Sequence, residues 1–195
     1  MSGILGFITS FSTLLHSAVI FGTVIMFGAM GEILAEKAGN LNLGVPGIMY
    51  LGGIAGLAAT FMYENVYCVG AGIQPNVVIC VVLCLVASFA AAALGGLIFS
   101  FLTITLRTNQ NVTGLAMTTF GVGFGNFFGG SLVKLSGADM PFLALSATSN
   151  CFKQTLPFAK DLGVFGELFL NYSFLVYLAI AIALVASYII KRTRT

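Results

Sequence analysis

Residues 77–106 read Val-Val-Ile-Cys-Val-Val-Leu-Cys-Leu-Val-Ala-Ser-Phe-Ala-Ala-Ala-Ala-Leu-Gly-Gly-Leu-Ile-Phe-Ser-Phe-Leu-Thr-Ile-Thr-Leu, without one charge. The run exceeds the ~20 apolar residues that cross a bilayer core. Val77–Val86 does not alternate apolar with polar, which excludes the ~10-residue strands of a membrane barrel. Backbone in lipid must satisfy its own hydrogen bonds, and a helix does so.

The run belongs to a charge-free stretch at 65–106, and 1–31, 38–63, 108–133 and 168–190 are charge-free as well. Only 7% of the 195 residues are charged and 58% are hydrophobic, which excludes a soluble domain. The expected fold class is all-α, a polytopic membrane protein of about five helices. The spans are expected at about 10–30, 46–62, 76–105, 113–133 and 168–190, in one transmembrane domain over 1–195. The third is long enough to tilt or break, with Gly95-Gly96 the natural break point. The N-terminus lacks a basic start and a small-residue cleavage site, so it is expected to stay in the mature fold.

Lysine and arginine set the orientation. Lys37, Arg107 and the terminal Lys191, Arg192 and Arg194 fall on one side of a five-span arrangement, and segment 63–75 has no basic residue. That side is expected to be the cytoplasm, with the N-terminus outside and the C-terminus inside. Segment 134–167, with Asp139, Pro141, Pro157, Lys160 and Asp161, is then an outer loop with a short helix, although its Lys134, Lys153 and Lys160 oppose the rule. Cys68 and Cys151 both fall in expected outer loops, as a disulfide or as two unrelated thiols. Cys80 and Cys84 lie four apart on one helix face and read as packing residues. A net charge of +2 gives no reason to expect a nucleic-acid partner.

Polar residues concentrate in Gly31-Glu-Ile-Leu-Ala-Glu-Lys-Ala-Gly-Asn-Leu-Asn-Leu-Gly-Val-Pro-Gly47. Gly39, Gly44, Pro46 and Gly47 oppose one continuous helix, so a broken or re-entrant segment is expected near 39–47. Two readings fit. Either this is a loop capped by Asn and Gly, or it is non-helical backbone lining a wet cavity, as in transporters. Asn40 and Asn42 would supply donors and acceptors there. A second cluster, Arg107-Thr-Asn-Gln-Asn-Val-Thr-Gly114, opens the fourth span. Asn111 or Thr113 is expected to cap that helix, or the helix start faces a polar solute.

Gly52 and Gly56, and Gly121, Gly125 and Gly129, repeat every four residues and read as close helix packing. Phe120, Phe124 and Phe128 form a neighbouring stripe, expected to pack and less suited to stacking on a planar base. His16, Asn126 and Asn171 are isolated polar residues within or beside apolar stretches. No His, Cys and carboxylate cluster has metal-ligand spacing, and no nucleophile has a base beside it. An enzyme is therefore not expected.

Glu32…Glu36-Lys37-Ala38-Gly39-Asn40-Leu41-Asn42-Leu43-Gly44…Gly47-Ile48-Met49…Gly52-Gly53 resembles the permease subunits of bacterial ATP-binding-cassette importers. The match is to the branched-chain amino acid, simple sugar and nucleoside permease family, nearest to its nucleoside and simple-sugar members. Arg107…Asn109-Gln110…Thr113-Gly114-Leu115-Ala116 resembles the family's second signature. Lys37 stands where Arg is usual, and Pro46 where a carboxylate is common. The resemblance implies a second permease subunit, two cytoplasmic ATPase subunits that bind the ATP, an extracytoplasmic solute-binding protein and a lipid bilayer around the helices. It implies no cofactor on this chain and a place in a bacterial cell membrane. The pathway would run past Asn40, Asn42, Gly44, Pro46, Asn109, Gln110, Asn111 and Thr113, with Glu32, Glu36 and Lys37 bracing the break by ion pairing. The chain is shorter than such permeases usually are and reads as an N-terminal portion or a truncated frame. A membrane scaffold subunit is the rival reading, and branched-chain amino acids the rival substrate.

Overall fold

The computed structural model describes residues 2–135, 145–152 and 171–193. Six helices run through them. α1 covers Ser2–Lys37 and α2 Val45–Phe61, which continues through a π-helical stretch Met62–Cys68 into Val69–Ala71. α3 covers Val77–Ser100 and widens to π geometry over Phe101–Thr105. α4 covers Gln110–Leu135, α5 Ser146–Phe152 and α6 Phe174–Arg192.

Among the described residues four helical stretches stand out as long and apolar enough to cross a membrane: Ser10–Lys37, Val45–Ala71, Val77–Thr105 and Phe174–Arg192. α4, the remaining expected span, has the length, at 26 residues, but its Thr, Gly and Asn residues make it less apolar than these four. The break expected at Gly95-Gly96 is corrected, because α3 runs through both residues. Gly95 gives up its side chain to a neighbour: a Cβ there would sit 3.3 Å from Ile48 of α2. The start of α6 at Phe174 falls inside the expected fifth span; residues 168–170 and most of 134–167 lie outside the described residues.

The helix ends follow from local chemistry. α1 passes through Glu32, Glu36 and Lys37 and stops where Gly39 takes a left-handed φ of +84°. Gly39 N–H donates to Glu36 O at 2.9 Å and Asn40 N–H to Ala35 O at 3.0 Å, the paired bonds that close a helix C-terminus. α2 starts with Pro46 in its first turn, where the missing N–H costs nothing. Asn76 caps α3, its Oδ1 accepting from Val78 N–H at 3.0 Å.

The contacts divide the chain into two compact units, Met1–Gly31 with Phe152–Thr195 and Glu32–Cys151. In the first unit His16 stacks on Tyr172, ring centroids 4.9 Å apart, so this histidine packs as expected of a lone residue in an apolar helix. In the second unit α2 lies between α3 and α4. One face of α2 meets α3 through glycine: a Cβ at Gly52 would stand 3.0 Å from Ser88 O, and one at Gly56 would run into the Ser88 hydroxyl. The other face meets α4. Gly47 and Gly121 abut backbone to backbone, Gly125 receives the Tyr50 ring, and Gly129 receives Ile54. Tyr50 Oη donates to Asn126 Oδ1 at 2.9 Å across the same interface. All five glycines singled out from their spacing lie in these contacts.

Within this unit the 38–44 stretch and the turn before α4 lie together at one end. The end of α2 and the start of α5 lie together at the other. This is the placement that antiparallel α2, α3 and α4 require.

Candidate functional site

The two polar clusters of the sequence meet. Gln110, first residue of α4, reaches back with both ends of its carboxamide. Its Oε1 accepts from Leu41 N–H at 2.8 Å and its Nε2 donates to Asn40 Oδ1 at 3.1 Å. Thr118, two turns along α4, donates to Leu43 O at 2.7 Å. The non-helical 38–44 stretch is thus clasped onto α4 by groups about 70 positions away.

The clasp satisfies backbone that no helix serves. Asn42 N–H donates to Glu32 Oε1 at 2.8 Å, and Gly44 N–H donates to Asn42 Oδ1 at 3.0 Å. Glu32 therefore braces the break through a hydrogen bond. Among the described residues Glu32, Glu36 and Lys37 form no ion pair, which corrects the expected mode of bracing. Glu32 Oε2 is buried with no hydrogen-bond partner among the described residues. Gly44 is buried because a Cβ there would stand 2.9 Å from Met117 Cβ, and Gly114 faces Leu43 in the same close approach.

The cap of α4 is Asn109, neither Asn111 nor Thr113. Asn109 Oδ1 accepts from Asn111 N–H at 3.0 Å and from Val112 N–H at 3.3 Å. Thr113 is buried and shares a hydrogen bond with Thr108 at 2.9 Å. Asn111 and Pro46 are exposed. So Asn40, Asn42, Gly44, Gln110 and Thr113 are committed to internal bonds or close packing, while Asn109, whose Oδ1 caps the helix, Asn111 and Pro46 are the exposed members.

Arg107 carries a strained backbone. It is the one described non-glycine residue with positive φ, at +52°. That conformation costs roughly 1–2 kcal/mol for a side chain with Cβ. It follows the π-helical end of α3, where Thr108 N–H and its hydroxyl both return to Leu102 O, at 3.2 and 2.8 Å. Glycine would hold this turn at lower cost. An Arg107→Gly chain should fold at least as stably as the parent in a thermal melt; any transport it loses then reports the guanidinium.

A residue passed over in the sequence is Glu64, a single charge between two long charge-free stretches. It is 5% exposed, on the π-helical end of α2. Its Oε1 accepts from Thr148 N–H at 2.8 Å and from the Thr148 hydroxyl, and its Oε2 accepts from Ala147 N–H at 3.4 Å. A buried carboxylate on a spanning helix is costly unless bonded, and these three hydrogen bonds offset that cost.

The phenylalanine stripe lines a cavity of ≈ 340 Å³ with Leu51, Ile54 and Leu94 among its walls, all of them apolar. It offers no polar group to orient a base. Cys68 and Cys80 are buried and all four cysteines are free thiols, so Cys68 and Cys151 are not joined in this structure. No group of three His, Cys, Asp or Glu residues could hold a metal among the described residues.

Apolar helices interrupted by a clasped, non-helical polar stretch are the architecture of a membrane transport subunit. Residues 14–195 match the family model described as the branched-chain amino acid transport system / permease component, and the chain belongs to that family of ABC transporter permeases. It is 34% identical over 128 residues to the "Putative glucose ABC transporter permease protein TsgC13" of Haloferax volcanii, covering 66% of this chain and 34% of that one. It is 24% identical over 186 residues to the "Guanosine ABC transporter permease protein NupQ" of Bacillus subtilis, covering 93% of this chain and 53% of that one. The chain thus spans between a third and about half the length of these curated relatives. No solved structure matches it.

Proposed function

We propose that the chain forms part of the translocation pathway of an ABC importer for a small polar solute, a nucleoside or a simple sugar. The observation that carries this reading is the clasp. It holds a non-helical, amide-rich stretch against α4 among apolar helices, where a helical continuation would leave no polar wall. The solute class leans on the printed names of the two relatives, one for glucose and one for guanosine. Among the described residues the clasp keeps one buried, unpartnered acceptor, Glu32 Oε2, and offers no basic group to pair an amino acid's carboxylate except Lys37 and Arg107 at its edge.

Asn40, Asn42, Gly44, Asn109, Gln110 and Thr113 frame the pathway, and Pro46 and Asn111 stand at its surface. ATP hydrolysis belongs to cytoplasmic ATPase subunits. A second permease subunit completes the pore, and an extracytoplasmic binding protein delivers the solute. Lys37 and Arg107 share one end of the α2–α4 unit, which assigns that end to the cytoplasm. With α4 also crossing the membrane, this reading makes five crossings, so the N-terminus is outside and the C-terminus inside.

The test is uptake of labelled guanosine, glucose and leucine by membrane vesicles that hold the complete importer. Guanosine or glucose should enter in an ATP-dependent manner and leucine should not. Asn42→Leu should abolish that uptake at unchanged membrane abundance, because it removes the acceptor for Gly44 N–H and a polar wall together. Normal uptake by this variant would remove Asn42 from the pathway. Uptake of leucine alone would overturn the solute class.

A further inference from the structure

We propose that Glu64 and Thr148 form a releasable closure at the end of the α2–α4 unit opposite the Asn40–Gln110 clasp. The inference rests on the reading of the chain as a transport subunit, which needs a barrier at each end of its pathway. The clasp lies at one end and leaves Glu64, at the other, unexplained.

Three observations converge on it. Glu64 is buried within a stretch long and apolar enough to span the membrane. Its carboxylate accepts from one short helix at three groups, Ala147 N–H, Thr148 N–H and the Thr148 hydroxyl, with Thr148 itself 5% exposed. Glu64 also sits on a π-helical segment, a wide turn that is common at functional positions and that has an α-helical alternative. Helix starts are most often capped by a Ser, Thr, Asp or Asn of their own segment. Here the cap comes from another helix, 84 positions away in sequence for Thr148. When it lets go, α5 parts from the end of α2. The bonds that hold it are few and charge-assisted, so losing one changes the balance measurably.

The structure supplies its own reporters. Cys68 on the π-helical segment and Cys80 in the second turn of α3 are 2% and 0% exposed. Cys80 lies beside both Glu64 and Thr148. Opening of the Glu64–Thr148 contact would uncover these thiols from one side of the membrane.

The experiment uses the full chain in sealed vesicles of both orientations, with Cys84 and Cys151 replaced by serine. A charged, membrane-impermeant maleimide reads the labelling rate of Cys68 and Cys80. The parent should label slowly. Thr148→Val should label roughly tenfold faster, the scale of one lost charge-assisted hydrogen bond, and from one membrane face only. Thr148→Ser keeps the hydroxyl and should label at the parent rate. Glu64→Gln keeps an acceptor without the charge and should fall between. An unchanged rate in Thr148→Val overturns the closure. So does an equal rise from both faces, which is what general loosening produces. If Glu64→Gln does not reach the membrane, the two Thr148 variants decide alone. Uptake is not the readout, so the transport reading and the closure can fail separately.

Discussion

Gly47→Ala should cost the chain its stability in the membrane, by about 1–3 kcal/mol. The added methyl meets the Met117 carbonyl and the Thr118 Cα, which are helix backbone and cannot turn aside as a side chain would. α2 and α4 must then separate, and the Gly44, Gly121 and Gly125 contacts on the same face loosen with them. Gly121→Ala meets Gly47 backbone and should behave alike. Gly53→Ala and Gly123→Ala, on the same two helices, meet nothing within 4 Å and should be neutral or slightly stabilising. Melting of the detergent-solubilised protein separates the pairs. Equal melting of Gly47→Ala and Gly53→Ala would show that the glycine face is not what holds α2 to α4.

The second large effect is expected at Gln110. Replacing it by Leu unmakes the bonds to Leu41 N–H and Asn40 Oδ1, leaving a part-buried donor and acceptor without partners. Each orphaned group costs ~1–3 kcal/mol where water is excluded, and less where water can enter. The 38–44 stretch is then held to α4 chiefly by Thr118 and glycine packing. Uptake should drop at least tenfold, which needs only about 1.4 kcal/mol. Membrane abundance should change little, because the spanning helices keep their packing. Gln110→Glu retains an acceptor for Leu41 N–H but loses the donor to Asn40, so its uptake should lie between Leu and the parent. Equal uptake in all three would show the clasp to be dispensable for transport.

Much of this molecule is written in hydropathy and in two residue types. Charge-free runs marked the spans because lipid tolerates little else, and glycine with Pro46 marked the break because neither continues a helix there. The four-residue glycine spacing placed α2 against its neighbours. What spacing does not carry is long-range pairing. Nothing near Gln110 points to Asn40, and nothing near Glu64 points to Thr148; each bond exists only once three helices are folded. Gly95-Gly96 misled for the opposite reason. Glycine in a membrane helix reads as weakness from the sequence, yet here it makes room for Ile48.

The glycine faces of α2 also set its mechanics. An axle turns because its bearing is round, and α2 is keyed on two sides. Rotation about its own axis would drive side chains into Ser88 on one flank and into Met117 and Thr118 on the other. The Tyr50–Asn126 bond resists sliding along α4. α2, α3 and α4 are therefore keyed into one block. Short joints of irregular backbone border it: Gly39, the Arg107 turn and the π-helical ends of α2 and α3.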